Sequence, residues 1–395
     1  MKNYDLITPE GTNDLLFKEC VMRKNVERTI SEQFYSRGYS EIITPGLEFF
    51  DVFNLRSRHF PQEDLYKLVD RKGRLLVLRP ESTMPIARVV ATRLKEATLP
   101  LRLCYNQCAY NVSTQMRGRS DQVVQAGIEL IGSSEKIADL EVIETAAAVL
   151  DKCSPGNFSL EIGDIGFFNE LMNQLDVDDN MKETIRNFIE TKNYPALNDI
   201  LDNIGKNNVT KALKMLPRLF GGEEVFEKAS KLFSDENTDA VLLKLKELFH
   251  EVEKLGCKGK ITVDLGMVNK NDYYTGVILK GYIEGYGEPV LSGGRYDKLI
   301  AEFGYDVPAT GFAVNVDAVT KVKLKNEKIA ARSVEAIVFA EKGYEMKAIL
   351  TAKQMREEGR TVEMAAFSNL EKVKKYAADV KIEKIIVVNE NVTEL

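Results

Sequence analysis

Five short segments of this sequence place polar side chains or glycines in stretches that otherwise have the apolar patterning of β-strands. Such groups could bind a polar ligand, because carboxylates, amides, hydroxyls and phenols accept and donate hydrogen bonds. No segment is decisive alone, since each also has an ordinary structural explanation. The segments are residues 78–83, 125–129, 271–276, 291–297 and 309–314.

The first two segments carry the carboxylates. Glu81 and Thr83 follow a predicted strand and precede a predicted helix, and a helix cap is the more common explanation for such residues. Gln125 and Glu129 are four residues apart, which places both side chains on one face of a strand. That face could line a ligand site or form an exposed polar surface, and both explanations stay open.

The other three segments are rich in tyrosine and glycine. A strand would point the adjacent Tyr273 and Tyr274 to opposite sides, so at most one could enter a pocket unless the backbone bends. Such tyrosines more often border a core. Gly293 and Gly294 are interpreted as a turn before a helix, where the backbone can approach a ligand or simply make a tight connection. Residues 309–314 predict a strand of small side chains.

Composition limits the class of protein. A chain of 395 residues that is 44% hydrophobic predicts two or three domains with a full core. No apolar run reaches the roughly 20 residues of a membrane span, and the start lacks the apolar region of a signal peptide. We therefore expect a cytoplasmic protein. The net charge of −6 is weak evidence against RNA binding, although a local basic stripe is compatible with it.

The cysteines favour neither a disulfide framework nor a metal site. Their odd number and scattered positions are typical of reduced thiols. Only Cys104 and Cys108 are close to each other, and only two histidines, His59 and His250, could complete a metal site with them. The two cysteines are better explained as small buried hydrophobic residues. We expect no metal and no cofactor. The others are Cys20, Cys153 and Cys257.

The elements that would position these residues predict an α+β domain over residues 1–320. Residues 40–48 form a β-rich run whose Pro45 suits an edge strand, which makes this run a candidate partner surface. Helical periodicity alone from about 167 to 255 predicts a helical insertion. The remaining strands are predicted at 65–69, 75–78, 101–110, 123–130, 158–162, 261–265, 277–283 and 309–316, and the helices at 21–39, 83–90 and 134–150.

The C-terminal part predicts a separate small domain. Residues 321–333 are charged and poor in apolar side chains, as a linker would be. Residues 334–395 then alternate strand, helix, strand, helix and strand, a pattern that predicts a small α/β domain with a parallel sheet.

Together and in this order, the segments resemble histidyl-tRNA synthetase, a class II aminoacyl-tRNA synthetase, over nearly the whole chain. The resemblance implies an α+β fold with an antiparallel sheet, flanking helices and a helical insertion, and a truncated anticodon-binding-like α/β domain at 334–395. The matching segments are 9–14 (the opening turn), 41–45 (the first class II motif, at the family's dimer interface), 78–83 (the turn that holds the amino group of histidine), 272–276 and 293–297 (the histidine-specific segments) and 311–313 (the start of the third class II motif).

The resemblance fails at the positions that handle ATP. Asn111 and Ser113 stand where the family has an arginine for the α-phosphate and an acid for adenine, and Asn269 and Ala318 replace two further arginines. Loss of one fixed cation that faces developing phosphate charge costs on the order of 3 kcal/mol. We therefore expect aminoacylation to be lost, because the flexible ammonium of Lys270 does not reproduce a guanidinium fork.

The same resemblance implies that the amino-acid pocket is retained. A carboxylate and several hydrogen-bonding side chains suit a zwitterionic amino acid with a two-nitrogen ring. The matching positions are Glu81 for the α-ammonium with Thr83 beside it, and Gln125, Glu129, Tyr273 and Tyr274 around the amino group and the imidazole.

A synthetase-like chain with this pocket and without the ATP clamp resembles most closely the regulatory subunits of ATP phosphoribosyltransferase. That resemblance implies a non-catalytic subunit that partners a short catalytic subunit in the first step of L-histidine biosynthesis and mediates allosteric feedback inhibition by histidine. It also implies a hetero-oligomer, self-association as a dimer and no tRNA binding. Two alternatives stay open: an active or degenerate histidyl-tRNA synthetase, and a stand-alone histidine-binding or RNA-sensing module.

Overall fold

Helices and short strands alternate along the chain in a computed structural model that describes residues 4–55, 60, 62–112, 120–268, 273–327 and 334–395. The elements up to residue 164 are α1 (Lys18–Tyr35), β1 (Ser40–Glu41), β2 (Leu47–Phe49), β3 (Lys67–Val69), β4 (Leu75–Leu78), α2 (Thr83–Arg93), β5 (Leu101–Tyr110), β6 (Gln122–Ile131), α3 (Lys136–Cys153) and β7 (Phe158–Asp164). Next come α4 (Ile165–Asn173), α5 (Asp179–Glu190), α6 (Tyr194–Ile204), α7 (Asn208–Met215), β8 (Phe220–Gly221), α8 (Glu224–Leu232), α9 (Glu236–Val252) and β9 (Ile261–Asp264). The last are β10 (Val277–Ile283), β11 (Leu291–Arg295), β12 (Ala309–Asn315), α10 (Val316–Asn326), β13 (Ala336–Ala340), α11 (Glu345–Glu357), β14 (Val362–Met364), α12 (Leu370–Val380), β15 (Lys384–Val388) and β16 (Val392–Glu394).

A nine-stranded sheet forms the centre of the larger unit, in the order β1-β5-β6-β12-β11-β10-β7-β9-β8. Its neighbours are antiparallel except for the pairs β1–β5 and β7–β9, which are parallel. Parallel partners need a long crossover connection, and helices α4–α9 lie on the connection from β7 to β9. The α+β fold class predicted from the sequence is confirmed, with a mixed sheet instead of a purely antiparallel one.

Helix α3 packs on one face of this sheet through fully buried apolar side chains, among them Val142, Ala146 and Leu150. The contact is close at β10, where a Cβ on Gly281 would lie 2.6 Å from a methyl carbon of Leu150. Because successive strand residues point to opposite faces, Glu129 points away from the face that its neighbour Ile128 occupies. Gln125 and Glu129 of β6 therefore lie on the face opposite to Ile128.

The predicted run at 40–48 is divided by Pro45 into two short strands that join different sheets. Strand β1 pairs with β5 at one edge of the large sheet. Strand β2 pairs with β4, and the predicted hairpin of β3 and β4 completes a three-stranded sheet in the order β2-β4-β3. A proline cannot donate a ladder hydrogen bond, which is why pairing is interrupted here.

The predicted helical insertion is helical from Ile165 to Val252 apart from β8. This two-residue strand pairs with β9, where Phe220 lies opposite Asp264 and Gly221 opposite Val263. The expectation of helices alone was wrong at this point, because two residues are too few to produce a periodic signal.

The smaller unit consists of residues 16–21 and 328–395, and the larger of residues 1–15 and 22–327. The smaller unit has a sheet in the order β14-β13-β15-β16, and β13 is parallel to both of its neighbours. Ala348 of α11 packs with Val338 of β13, whereas Val373 of α12 packs with Ile337. The two helices therefore cover opposite faces, as is typical of parallel sheets. The antiparallel edge strand β16 was not predicted.

The predicted linker, residues 321–333, overlaps the end of helix α10, so its predicted start is too early. Helix α10 continues to Asn326, because Val322 is buried against the core and Lys323 forms an i,i+4 ion pair with Glu327. Residues 328–333 of that linker lie outside the described residues. Across the described part of the chain, no helix has both the length and the apolar character needed to cross a membrane.

Candidate functional site

The residues predicted to bind histidine surround one small cavity of about 100 Å³ in the larger unit. They come from the start of α2, from β6 and from the segment before β10. The cavity is lined by Glu81, Thr83, Gln125, Glu129, Tyr273 and Tyr274, together with Tyr105, Ser292, Gly293, Tyr296, Gly311, Phe312 and Ala313.

The turn from β4 into α2 carries Glu81 and Thr83. Ser82 is the N-cap residue of α2, but its side chain makes no capping hydrogen bond. The hydroxyl of Thr83 donates to Glu129 Oε1 at 2.9 Å, so it joins the two carboxylate-bearing segments. Capping, the common explanation for such residues, therefore does not account for Thr83.

Glu129 is the buried carboxyl of the cavity, with 1% of its surface exposed. Thr83 donates to one of its oxygens, and the hydroxyl of Tyr296 donates to the other. The pKa of Glu129 is raised to about 8, mainly by burial and to a smaller extent by the charge of Glu81. The two hydroxyl donors oppose this shift. At neutral pH the protonated form of Glu129 therefore predominates in the empty pocket.

Both tyrosines of the predicted set reach the cavity, because the strand alternation that would have separated them is absent here. They lie in a turn that ends before β10 begins at Val277, so strand alternation does not apply to them. Their ring centroids are 4.9 Å apart, and the ring of Tyr273 also contacts Tyr296 edge-on at 5.7 Å. Asn271 and Asp272 of the same segment lie outside the described residues.

Two glycines of the cavity lining, Gly293 and Gly311, allow close approach of their neighbours. A Cβ on Gly311 would lie 2.1 Å from Glu129 Oε2, and one on Gly293 would lie 2.2 Å from the Gly311 carbonyl oxygen. Gly127 faces Tyr105 across strands β6 and β5, and a Cβ there would lie 2.5 Å from the phenol oxygen. Gly293 was predicted in a turn before a helix, but it lies within β11.

The sequence-based set of site residues omitted Tyr105 and Tyr296. Tyr105 is fully buried, and burial raises the pKa of its phenol well above the usual value. Its place in the cavity follows from the register that sets it opposite Gly127. Tyr296 belonged to a segment that was singled out, but only the structure reveals its hydrogen bond to Glu129.

Two of the positions predicted to have lost the ATP clamp, Asn111 and Ala318, line a second cavity. Asn111 donates from Nδ2 to the carbonyl oxygen of Pro80 at 2.7 Å, and Ala318 is buried within α10. Ser113 and Asn269 lie outside the described residues, as does Lys270.

This second cavity, of about 660 Å³, has an acidic lining. Among its lining residues are the carboxylates of Asp121, Glu288 and Asp317, against one ammonium, that of Lys321. Asp317 accepts a hydrogen bond from the backbone N–H of Val124 at 2.7 Å. Among the residues that the structure describes, this lining therefore carries more carboxylates than ammonium groups.

A buried ion pair supports the end of β11, directly before Tyr296. Arg295 and Asp139 are 3% and 2% exposed, and the guanidinium donates to the carboxylate at 2.9 Å. Arg295 also donates to the carbonyl of Ser133 and to Asp297. These contacts fix β11 to the start of α3 directly behind the cavity.

In the part of the chain that the structure describes, no three or more histidine, cysteine, aspartate or glutamate side chains lie close enough together to hold a metal ion. The five cysteines are free thiols. Burial raises the pKa of the Cys104 thiol to about 12, which keeps it protonated and inert.

The fold and the glycine-floored cavity place the larger unit in the class II aminoacyl-tRNA synthetase-like class, and a family model for histidyl-tRNA synthetase matches residues 11–319. A crystal structure from Bacillus halodurans, described as an ATP phosphoribosyltransferase regulatory subunit/histidyl-tRNA synthetase, superimposes with a TM-score of 0.85 at 30% identity, covering 98% of this chain and 99% of that one. Histidyl-tRNA synthetase from a Nostoc species shares the fold, with a TM-score of 0.77 at 18% identity over 99% of this chain and 96% of that one.

Two relatives in sequence carry a more particular name. An ATP phosphoribosyltransferase regulatory subunit from Clostridium acetobutylicum is 41% identical over 98% of this chain and 96% of its own length. One from Bacillus mycoides is 35% identical over 98% of this chain and 92% of its own length. The chain belongs to the family of ATP phosphoribosyltransferase regulatory subunits, which share the histidyl-tRNA synthetase fold. The family predicted from the sequence is thus confirmed.

Proposed function

We propose that this chain is the non-catalytic regulatory subunit of an ATP phosphoribosyltransferase, and that L-histidine bound in the small cavity inhibits the complex. The observation that carries the proposal is the convergence of two carboxyl groups, an amide and two tyrosines on one cavity, in a chain whose relatives bear that subunit's name. The phosphoribosyl transfer itself, the first step of L-histidine biosynthesis, belongs to a short catalytic partner subunit.

The α-ammonium and the imidazole of histidine each have a matching group in the cavity. Glu81 takes the α-ammonium, since a carboxylate and an ammonium form a charge-assisted hydrogen bond, and Gln125 adds an amide oxygen. Glu129 and Tyr273 recognise the imidazole nitrogens, and Thr83 holds the Glu129 carboxyl in place. The rings of Tyr273 and Tyr274 pack against each other and offer an aromatic wall for the imidazole.

Aminoacylation is lost in this proposal, because the ATP clamp is missing. Asn111 and Ala318 are neutral, and Ser113 and Asn269 stand at the remaining positions that the synthetase uses for ATP. The acidic lining of the neighbouring cavity supports the same conclusion, since it offers one ammonium against three carboxylates.

The proposal includes a dimer of this chain within a cytoplasmic hetero-oligomer that does not bind tRNA. Large apolar side chains are exposed within and just after residues 41–45, the segment that resembles the family's dimer-forming motif: Ile43 is 80% exposed, and the following Leu47 and Phe49 are 46% and 41% exposed. A dimer interface at this run would remove them from water.

Calorimetric titration with L-histidine tests the binding step, followed by addition of ATP and magnesium with a pyrophosphate assay. Glu81→Gln is the matched variant, because it keeps the shape of the side chain and removes the charge that meets the ammonium. We expect wild-type binding, a loss of at least about tenfold in the variant, and no release of pyrophosphate. Histidine-dependent pyrophosphate release by the wild type would instead identify a synthetase.

A further inference from the structure

The segment that presents Glu81 is held by three hydrogen bonds on its main chain. The N–H of Arg79 donates to the carbonyl of Gly46 at 3.0 Å, and the carbonyl of Arg79 accepts from the N–H of Tyr110 at 2.9 Å. The carbonyl of Pro80 accepts from Nδ2 of Asn111 at 2.7 Å. This last contact is made by a side chain, and it is the one nearest to Glu81.

Pro80 can be anchored only through its carbonyl, because proline has no N–H. Its residue is buried, so the carbonyl would lose its solvent partners and need another donor. Asn111 is itself fixed at the end of β5, where its backbone N–H donates to the carbonyl of Asp121 at 2.8 Å. The amide of Asn111 is therefore a defined support for the peptide that leads directly into Glu81.

We propose that Asn111 is a positioning residue of the histidine pocket: its amide holds the Pro80 carbonyl and thereby fixes Glu81 for the α-ammonium. This inference rests on the proposed binding of histidine at Glu81. Asn111 would thus have a function in this chain, although the family resemblance identifies its position only as one where an ATP contact is lost. Asn111 does not touch the ligand, so its effect must pass through the orientation of Glu81.

The role depends on a donor at this position. An aspartate has almost the same shape as asparagine, but its ionised carboxylate cannot donate and repels the Pro80 carbonyl. Alanine removes the contact without adding charge. Glutamine keeps the amide donor on a longer side chain. Together, these substitutions distinguish the effect of losing the hydrogen bond from the effect of changing the side-chain volume.

The test is calorimetric titration of the full-length chain and its Asn111 variants with L-histidine and with 3-(imidazol-4-yl)propionate, which lacks the α-ammonium. For Asn111→Asp and Asn111→Ala we expect the affinity for L-histidine to fall about tenfold, as loss of one hydrogen bond that positions Glu81 implies, with less than a twofold change for the propionate. Asn111→Gln recovers part of the lost affinity. Asn173→Asp adds the same charge at an exposed position of α4 and leaves both affinities unchanged.

The possible failures are distinguishable. Unchanged affinity for L-histidine in both Asn111→Asp and Asn111→Ala would overturn the positioning role and leave the histidine pocket standing. An equal loss for both ligands would also overturn it, since that result indicates general damage to the cavity. If the wild type itself bound no L-histidine, the proposed function would fail first, whatever the variants did.

Discussion

Glu129 is the residue in which the chemistry of the cavity is most concentrated. Its carboxyl is buried, receives two hydroxyl donors and has its pKa raised to about 8 from the usual 4.5. Between these two pH values the unfolded chain gives up the proton that the folded chain keeps. The contribution of Glu129 to the stability of the fold therefore falls as pH rises from about 4.5 to about 8, and it is constant outside that window.

Substitution Glu129→Gln tests this titration. The amide does not ionise, so the variant should lose less stability than the wild type between pH 5 and pH 8, by at most about 1.4 kcal/mol per pH unit. Urea unfolding at both pH values measures the difference. Burial raises the pKa of Asp164 to about 6, but Asp164 titrates in the same way in both proteins. Its contribution to the pH dependence of stability therefore cancels in the comparison. Equal pH slopes would contradict the assignment.

Gly311 gives a second prediction at the residue scale. An added Cβ would lie 2.1 Å from Glu129 Oε2 and 2.3 Å from the carbonyl oxygen of Ile128, which is backbone and cannot move alone. Gly311→Ala should therefore cost about 1–3 kcal/mol of stability and reduce the affinity for L-histidine at least about tenfold. Gly287→Ala is the control, since a Cβ there meets nothing within 4 Å. Wild-type binding by Gly311→Ala would show that this floor does not set the size of the cavity.

At the scale of elements, the Arg295–Asp139 ion pair joins β11 to α3. Removing one partner leaves the other charge buried and uncompensated, so Arg295→Met should cost about 3–5 kcal/mol. The double variant Arg295→Met with Asp139→Leu should recover most of that loss. Denaturant unfolding measures both. Lys231→Met, which removes an exposed ion pair with Glu227, should change stability by less than about 1 kcal/mol. No recovery in the double variant would contradict the role given to the pair.

Several elements of the fold could be predicted from the sequence because their patterns are local. The apolar run of residues 384–388 and the period of α3 identified β15 and α3. Strands β8 and β16 have two and three residues and gave no periodic signal. Their existence depends on partner strands distant in sequence, and no local pattern records such pairing.

The candidate site followed the same division between local and non-local information. Glu81, Gln125 and Glu129 were found because family-like segments carry them. Tyr105 was missed because its place depends on the register that sets it opposite Gly127. Tyr273 and Tyr274 were found in the same way as the carboxylates, but the backbone bend that brings both rings to the cavity could not be predicted from a local pattern.

At the scale of the whole molecule, the chain combines a synthetase-like unit with a four-stranded C-terminal unit. In our account the synthetase chemistry is gone and the amino-acid pocket remains, so histidine becomes a signal instead of a substrate. An effector can shift such an assembly only by binding its states with different affinities. The pocket and the response of the partner subunit must then be coupled.

The most direct measurement is the ATP phosphoribosyltransferase activity of a short catalytic subunit, with and without this chain, as L-histidine is added. We predict that L-histidine inhibits the complex with the wild-type chain, and that the complex with Glu81→Gln keeps its activity but needs at least about tenfold more histidine for half-inhibition. The same sensitivity in the Glu81→Gln complex, or no effect of this chain on the catalytic subunit, would contradict the account.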